Sequence, residues 1–132
     1  MLTLSKTTRY RLAVIAILLL AFGLRSYSLA ARTLWFDEAW EYWVATSALP
    51  DLLEVVRTTL RDPPLYSVLL HGWLYLGQDE FWLRFPSLWI SMAGLLGVMT
   101  LTRLAFGKAA GVVAACLLAF SALDIRYAQE AG

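Results

Sequence analysis

The sequence predicts an all-α integral membrane protein with three transmembrane helices, and three observations carry that prediction. Hydrophobic residues make up 60% of the 132 and charged residues only 16%, with mean hydropathy +0.63, whereas soluble domains sit nearer about 45–50% apolar. Three apolar runs, at 12–30, 87–106 and 109–123, are separated by polar stretches. Charge is segregated: Lys6, Arg9 and Arg11 precede the first run, while residues 31–86 carry Asp37, Glu38, Glu41, Asp51, Glu54, Asp62, Asp79 and Glu80 against Arg32, Arg57, Arg61 and Arg84. The length allows a single domain. A formal net charge of +1 excludes a global nucleic-acid-binding field. Lone Cys116 excludes an internal disulfide and a cysteine metal site.

The first element is the span over 12–30. Basic residues ahead of it favour a cytoplasmic N-terminus, which puts the acidic segment on the outer face. Arg25 and Tyr27 stand where a signal-peptide cleavage site would be needed, so the span reads as uncleaved. A charge near the bilayer centre costs roughly 2.5–3.5 kcal/mol on insertion scales, so Arg25 must snorkel outward or pair with an acid.

Residues 31–86 predict an outer loop carrying three short helices. Asp37–Ala48 starts at an acidic pair. Pro50–Leu60 has proline in its first turn, with Leu52, Leu53, Val56 and Leu60 on one face. Leu65–Leu76 follows Asp62-Pro63-Pro64, with Asp62 as N-cap, and ends at Gly77. It is shorter than the roughly 20 residues a crossing needs, so it is expected to lie along the membrane or re-enter it. The span 87–106 follows, then a tight turn at Gly107-Lys108 and the span 109–123. Arg103 and Lys108 bracket that turn, which is expected in the cytoplasm. The tail 124–132 then returns outward.

Five of the six tryptophans (35, 40, 43, 73 and 82) fall in 31–86, as expected of an interfacial belt. Among the polar residues there, Asp37-Glu38 admits two readings. Acids in a first helical turn offset the macrodipole. A carboxylate beside a lipid-linked substrate also serves as a general base or metal ligand. Asp62 and Tyr66 flank a rigid Pro-Pro turn, where they either cap and pack or line a pocket. Arg84 is an interfacial anchor or a fork for a phosphate. His71 reads as a packed histidine before it reads as a ligand. Gln129 and Glu130 lie in a polar tail in which Arg126 and Glu130 stand at helical spacing.

The order of these motifs is more specific than any one of them. Leu34-Trp35-Phe36-Asp37-Glu38-Ala39, Asp62-Pro63-Pro64-Leu65-Tyr66, Glu80-Phe81-Trp82-Leu83-Arg84-Phe85-Pro86-Ser87 and Ile125-Arg126-Tyr127-Ala128-Gln129-Glu130-Ala131 follow one another along the chain. Together they resemble the amino-terminal part of bacterial family-39-type glycosyltransferases, the group of protein O-mannosyltransferases and lipid A aminoarabinose transferases. The resemblance covers roughly residues 8–132. It implies a GT-C fold, a polyprenyl-phosphate-linked sugar donor, and a lipid, glycan or protein acceptor. It also implies Asp37 as the general base with Glu38 beside it as a catalytic residue, and substrate contacts from Asp62, Tyr66, Arg84, Gln129 and Glu130. A divalent cation is the candidate cofactor. Asp62 stands where the family has His or Lys, and Gly132 where it has Arg.

The expectation is thus the amino-terminal fragment of a multi-pass transferase in the bacterial inner membrane, inactive by itself because later helices build the donor pocket. The rival expectation is a non-enzymatic membrane protein, an assembly subunit or a piece of a transporter, whose acids only satisfy interfacial helices.

Overall fold

The computed structural model describes residues 5–27, 29, 34–59 and 64–131. Among them every element is a helix: α1 (Lys6–Ser26), α2 (Phe36–Thr46), α3 (Leu49–Thr58), α4 (Pro64–Trp73), α5 (Glu80–Phe106), α6 (Lys108–Ala119) and α7 (Ala122–Ala128). Helices α1 and α5 are long and apolar enough to cross a membrane. At 1.5 Å per residue, the 21 residues of α1 cover roughly 31 Å, about the hydrocarbon thickness of a bilayer. The chain is a membrane protein built from helices, and it divides into two compact units, Met1–Tyr27 with Leu88–Ala128, and Ser28–Ser87 with Gln129–Gly132.

In the first unit, α1 begins earlier than its apolar run. The Ser5 hydroxyl accepts from the Thr8 amide at 3.1 Å and caps a basic first turn. Beyond that turn Leu12, Ile15, Leu19 and Leu20 stay exposed, as side chains facing acyl chains must. Helices α1 and α6 pack side by side. Their direction follows from their ends. Tyr10 of α1 meets Lys108 at the start of α6, and Arg25 meets Leu118 near its finish, so the two helices run parallel. The N-terminal turn and the α5–α6 turn therefore share one end of this unit. That turn depends on Gly107, whose φ of 91° is a conformation open to glycine.

The third span, expected over 109–123, is bent into two helices that together are long and apolar enough for one crossing. Helix α6 stops at Ala119, and α7 departs from it at 63°. Three polar contacts inside an apolar run break it. Arg25 Nη2 donates to the Leu118 carbonyl at 3.1 Å. The Ser121 amide reaches the same carbonyl at 3.2 Å, and the Ser121 hydroxyl accepts from the Asp124 amide at 3.3 Å as the cap of α7. A serine that can cap and a guanidinium that takes the last carbonyl outweigh continuation of the helix.

In the second unit, α2, α3 and α4 pack on one another. The three short helices predicted in 31–86 are present, with ends displaced by a few residues. Their core is Ala45, Leu70, Leu74, Leu83 and Ala131, with Tyr42, Tyr66 and Trp82 against it. The helix that continues into the second span begins at Glu80, seven residues ahead of the expected 87. Asp79 makes that start, its carboxylate accepting from the Trp82 amide at 3.0 Å. Pro86 lies inside α5, where its missing N–H leaves the carbonyl four residues earlier without its helical donor. That carbonyl belongs to Trp82, and the Trp73 indole N–H fills the vacancy at 3.1 Å. The rings of Trp73, Phe81, Trp82 and Phe85 cluster around this bond. Gly77 lets the chain pass: a Cβ there would stand 2.0 Å from the Trp82 ring.

Candidate functional site

The acidic pair occupies the first turn of α2, and the helix sorts its two members. Glu38, Glu41 and Ala45 recur at spacings of three and four and are all buried, so they share the face turned toward α4. Asp37 is exposed. Trp35 has the N-cap backbone, but an indole cannot accept a hydrogen bond. The helix start is satisfied the other way round, by the Trp35 amide donating to Glu38 Oε2 at 3.1 Å.

Glu38 is the centre of the site. Arg84 donates to it through Nε at 2.8 Å and Nη2 at 2.7 Å, one to each oxygen. The Ala131 amide donates to Oε1 at 3.0 Å. The remaining arm of the fork, Nη1, reaches the Leu29 carbonyl at 2.7 Å. Glu38 is 2% exposed and Arg84 1%. One ion pair thus ties together the ends of three distant stretches of chain and the start of α2. Burial pushes the Glu38 carboxyl up, but the Arg84 fork and the amides of Trp35 and Ala131 outweigh it and hold the group below its ordinary 4.5.

The other expected site residues fall unevenly around this centre. Tyr66 exchanges a hydrogen bond with Ser87 at 2.9 Å between hydroxyls. Gln129 is buried at 9% exposure, and Glu130, like Glu80, lies within electrostatic reach of Arg84. Asp62 lies outside the described residues. Arg84 is committed to Glu38 and Leu29, so a substrate phosphate would have to open the clamp to reach its guanidinium. Glu38 is likewise occupied at both oxygens, whereas Asp37 is exposed.

Two further polar groups sit on these helices, and of them only Glu41 went unremarked as a site residue in the sequence. Glu41 is 3% exposed, with Oε2 accepting from Ser67 Oγ at 3.3 Å; its helical spacing from Glu38 and Ala45 was the available signal. His71 holds Nδ1 2.7 Å from the Ala45 carbonyl. A carbonyl only accepts, so the proton sits on Nδ1 and Nε2 points toward the Tyr75 hydroxyl at 3.5 Å. Beside it is a cavity of about 80 Å³ lined by Ala45, Thr46, His71, Leu74, Tyr75 and Gln78, well below the roughly 300–1,000 Å³ of small-molecule sites. Among the described residues no three His, Cys, Asp or Glu side chains converge to hold a metal.

No protein-family model, no curated protein and no solved structure matches this chain.

Proposed function

We propose that the chain is the amino-terminal membrane module of a bacterial inner-membrane glycosyltransferase of the GT-C type, which moves a sugar from a polyprenyl phosphate to a hydroxyl acceptor on the outer face. The observation that supports it best is the division of labour in the acidic pair. Glu38 is locked by Arg84 and Ala131, and that lock fixes the register of the first turn of α2, where Asp37 is exposed. A base needs such a rigid mount and an open approach.

In the proposed reaction the acceptor hydroxyl gives its proton to Asp37 while its oxygen bonds to the anomeric carbon. The bond from that carbon to the phosphate oxygen breaks, and the electron pair leaves with the polyprenyl phosphate. The configuration at carbon inverts. Glu38 and Arg84 act as positioning residues, a different role from the direct substrate contact the resemblance implied for Arg84.

The test is sugar transfer from a polyprenyl-phosphate donor in membranes of cells expressing the protein from its own gene. Asp37→Asn preserves shape and hydrogen bonding. Turnover should fall on the order of 10²–10⁴-fold, the usual worth of a general base, at unchanged membrane abundance. Near-normal transfer by Asp37→Asn at equal abundance overturns the reading and returns Asp37 to a helix-capping role.

A further inference from the structure

The first unit has one strongly one-signed end. Lys6, Arg9, Arg11, Arg103 and Lys108 are all exposed. The sole acid in 5–27 and 88–128 is Asp124, which is engaged with Arg25 at the opposite end of α1. The two cations of the α5–α6 turn converge on one side chain: the Arg103 guanidinium lies 5.6 Å and the Lys108 ammonium 5.7 Å from the centroid of the Tyr10 ring. A topological bias in basic residues explains why such charges sit on one side. It does not explain why two of them gather on a single aromatic.

Backbone charge adds to the same place. Helix α6 starts at Lys108 behind Gly107, which offers no side-chain cap, and its first turn has no acid. Its first amides and the positive end of its dipole therefore face this end uncompensated. The Tyr10 hydroxyl, covered in this arrangement, has no hydrogen-bond partner among the described residues. An oxygen acceptor that displaced its cover would satisfy a donor the fold leaves over. Directly along the helices come exposed apolar side chains, Leu12 and Ile15 on α1, Leu101 and Leu104 on α5, and Val113 on α6. Phosphate-seeking charge thus grades into an acyl-facing surface over about two helical turns.

We infer that the Tyr10–Arg103–Lys108 cluster is a binding site for the headgroup of an anionic phospholipid. The phosphate sits between the two cations and the start of α6, and the acyl chains run down the exposed apolar flank. Basic pockets between transmembrane helices take anionic headgroups on this principle. The ligand is a bilayer lipid because charge and apolar surface are contiguous; a soluble phosphate uses only the first.

The test reconstitutes the chain in phosphatidylcholine bilayers doped with phosphatidylglycerol or cardiolipin. The protein is then extracted in mild detergent and its retained lipids are counted by native mass spectrometry. Anionic lipid should be enriched over phosphatidylcholine. Lys108→Gln should lower that enrichment about fivefold, and Arg103→Gln with Lys108→Gln about thirtyfold, as for basic residues at an anionic surface. Raising the salt should weaken retention. Arg57→Gln removes the same charge from an exposed position on α3 and should leave retention unchanged. Equal retention by the wild type and the double variant overturns the site. So does an equal drop with Arg57→Gln, which would mean that net charge alone attracts the lipid. Inorganic phosphate that displaces the lipid completely would overturn the headgroup assignment.

Discussion

Each unit of this protein buries an arginine, and the two arginines are handled differently. Arg84 meets Glu38 fork to carboxylate, with both groups within 2% of complete burial. Arg25 is also fully buried, but its partner Asp124 keeps 35% of its side chain exposed. Arg25 spreads its donors over Asp124, Ser91 Oγ at 2.8 Å and the carbonyls of Ala21 and Leu118. Ser91 in turn donates to Asp124 at 3.1 Å. Arg84 and Glu38 meet at both carboxylate oxygens, and main-chain groups of Trp35, Ala131 and Leu29 complete the clamp. Arg25 belongs to a network in which the carboxylate is one of several acceptors. A bidentate pair specifies geometry sharply, and a distributed one tolerates the loss of a member.

The largest expected effect breaks the tighter pair. Arg84→Met leaves the Glu38 charge buried and uncompensated, which costs about 3–5 kcal/mol. Thermal unfolding followed by tryptophan fluorescence reads it. Replacing both partners, Glu38→Leu with Arg84→Met, should recover a good part of that loss. A double variant no better than the single one would mean that the amides of Trp35 and Ala131, not the ion pair, dominate.

Asp124→Asn comes next, at about 1.5–3 kcal/mol, the usual range for a hydrogen bond to a charged group. Arg25 keeps Ser91 and the carbonyls of Ala21 and Leu118, so the α6–α7 bend should persist, as measured by spin-label distances across the break. A loss as large as that of Arg84→Met would erase the contrast between the two sites.

Packing offers a smaller comparison. Gly77→Ala puts a Cβ 2.0 Å from the Trp82 ring, while at Gly111 the nearest atom, Arg103 Cβ, is 2.8 Å away and the Met99 carbonyl 3.0 Å. Overpacking costs about 1–3 kcal/mol, and Gly77→Ala should lie at the upper end. Its emission spectrum should shift as well, since Trp82 has to move. Equal melting temperatures for the two variants would show that the Trp82 ring yields easily.

Acid gives the gentlest test. The Glu38 carboxyl is depressed in the fold below 4.5. A depressed carboxylate contributes stability above its unfolded value and loses it as pH falls through the folded one. The stability gap between the wild type and Glu38→Gln should therefore be constant near neutrality and shrink as pH drops below about 4.5. A gap that does not change with pH would remove the charge from the account of this clamp.

Some of this was legible before any coordinates. The Pro-Pro and Gly77 boundaries, the proline in the first turn of α3 and the apolar runs are local signals, and the helices they predicted in 31–86 are present. The burial of Glu38 was also within reach, because Glu38, Glu41 and Ala45 fall on one helical face. The cost of a charge in lipid left Arg25 two escapes, snorkelling outward or pairing with an acid, and the fold takes the second. Ser121 and Asp124 could be read as ending the third span, but the sharp bend there was not legible, since it depends on a guanidinium from another helix taking the Leu118 carbonyl.

The sequence by itself determined that this chain is helical and made for a membrane, and which stretches form helices, because hydropathy and capping act over a few residues. The tertiary structure alone decided the partners: Glu38 with Arg84, 46 residues away, and with Ala131, 93 residues away, and Arg25 with Asp124, 99 residues away. Any acid offers an arginine the same chemistry. Which one it meets depends on which helices pack together and on which faces they bury. That choice divided Asp37 from Glu38, leaving one carboxylate exposed and turning its neighbour into the clamp beneath it.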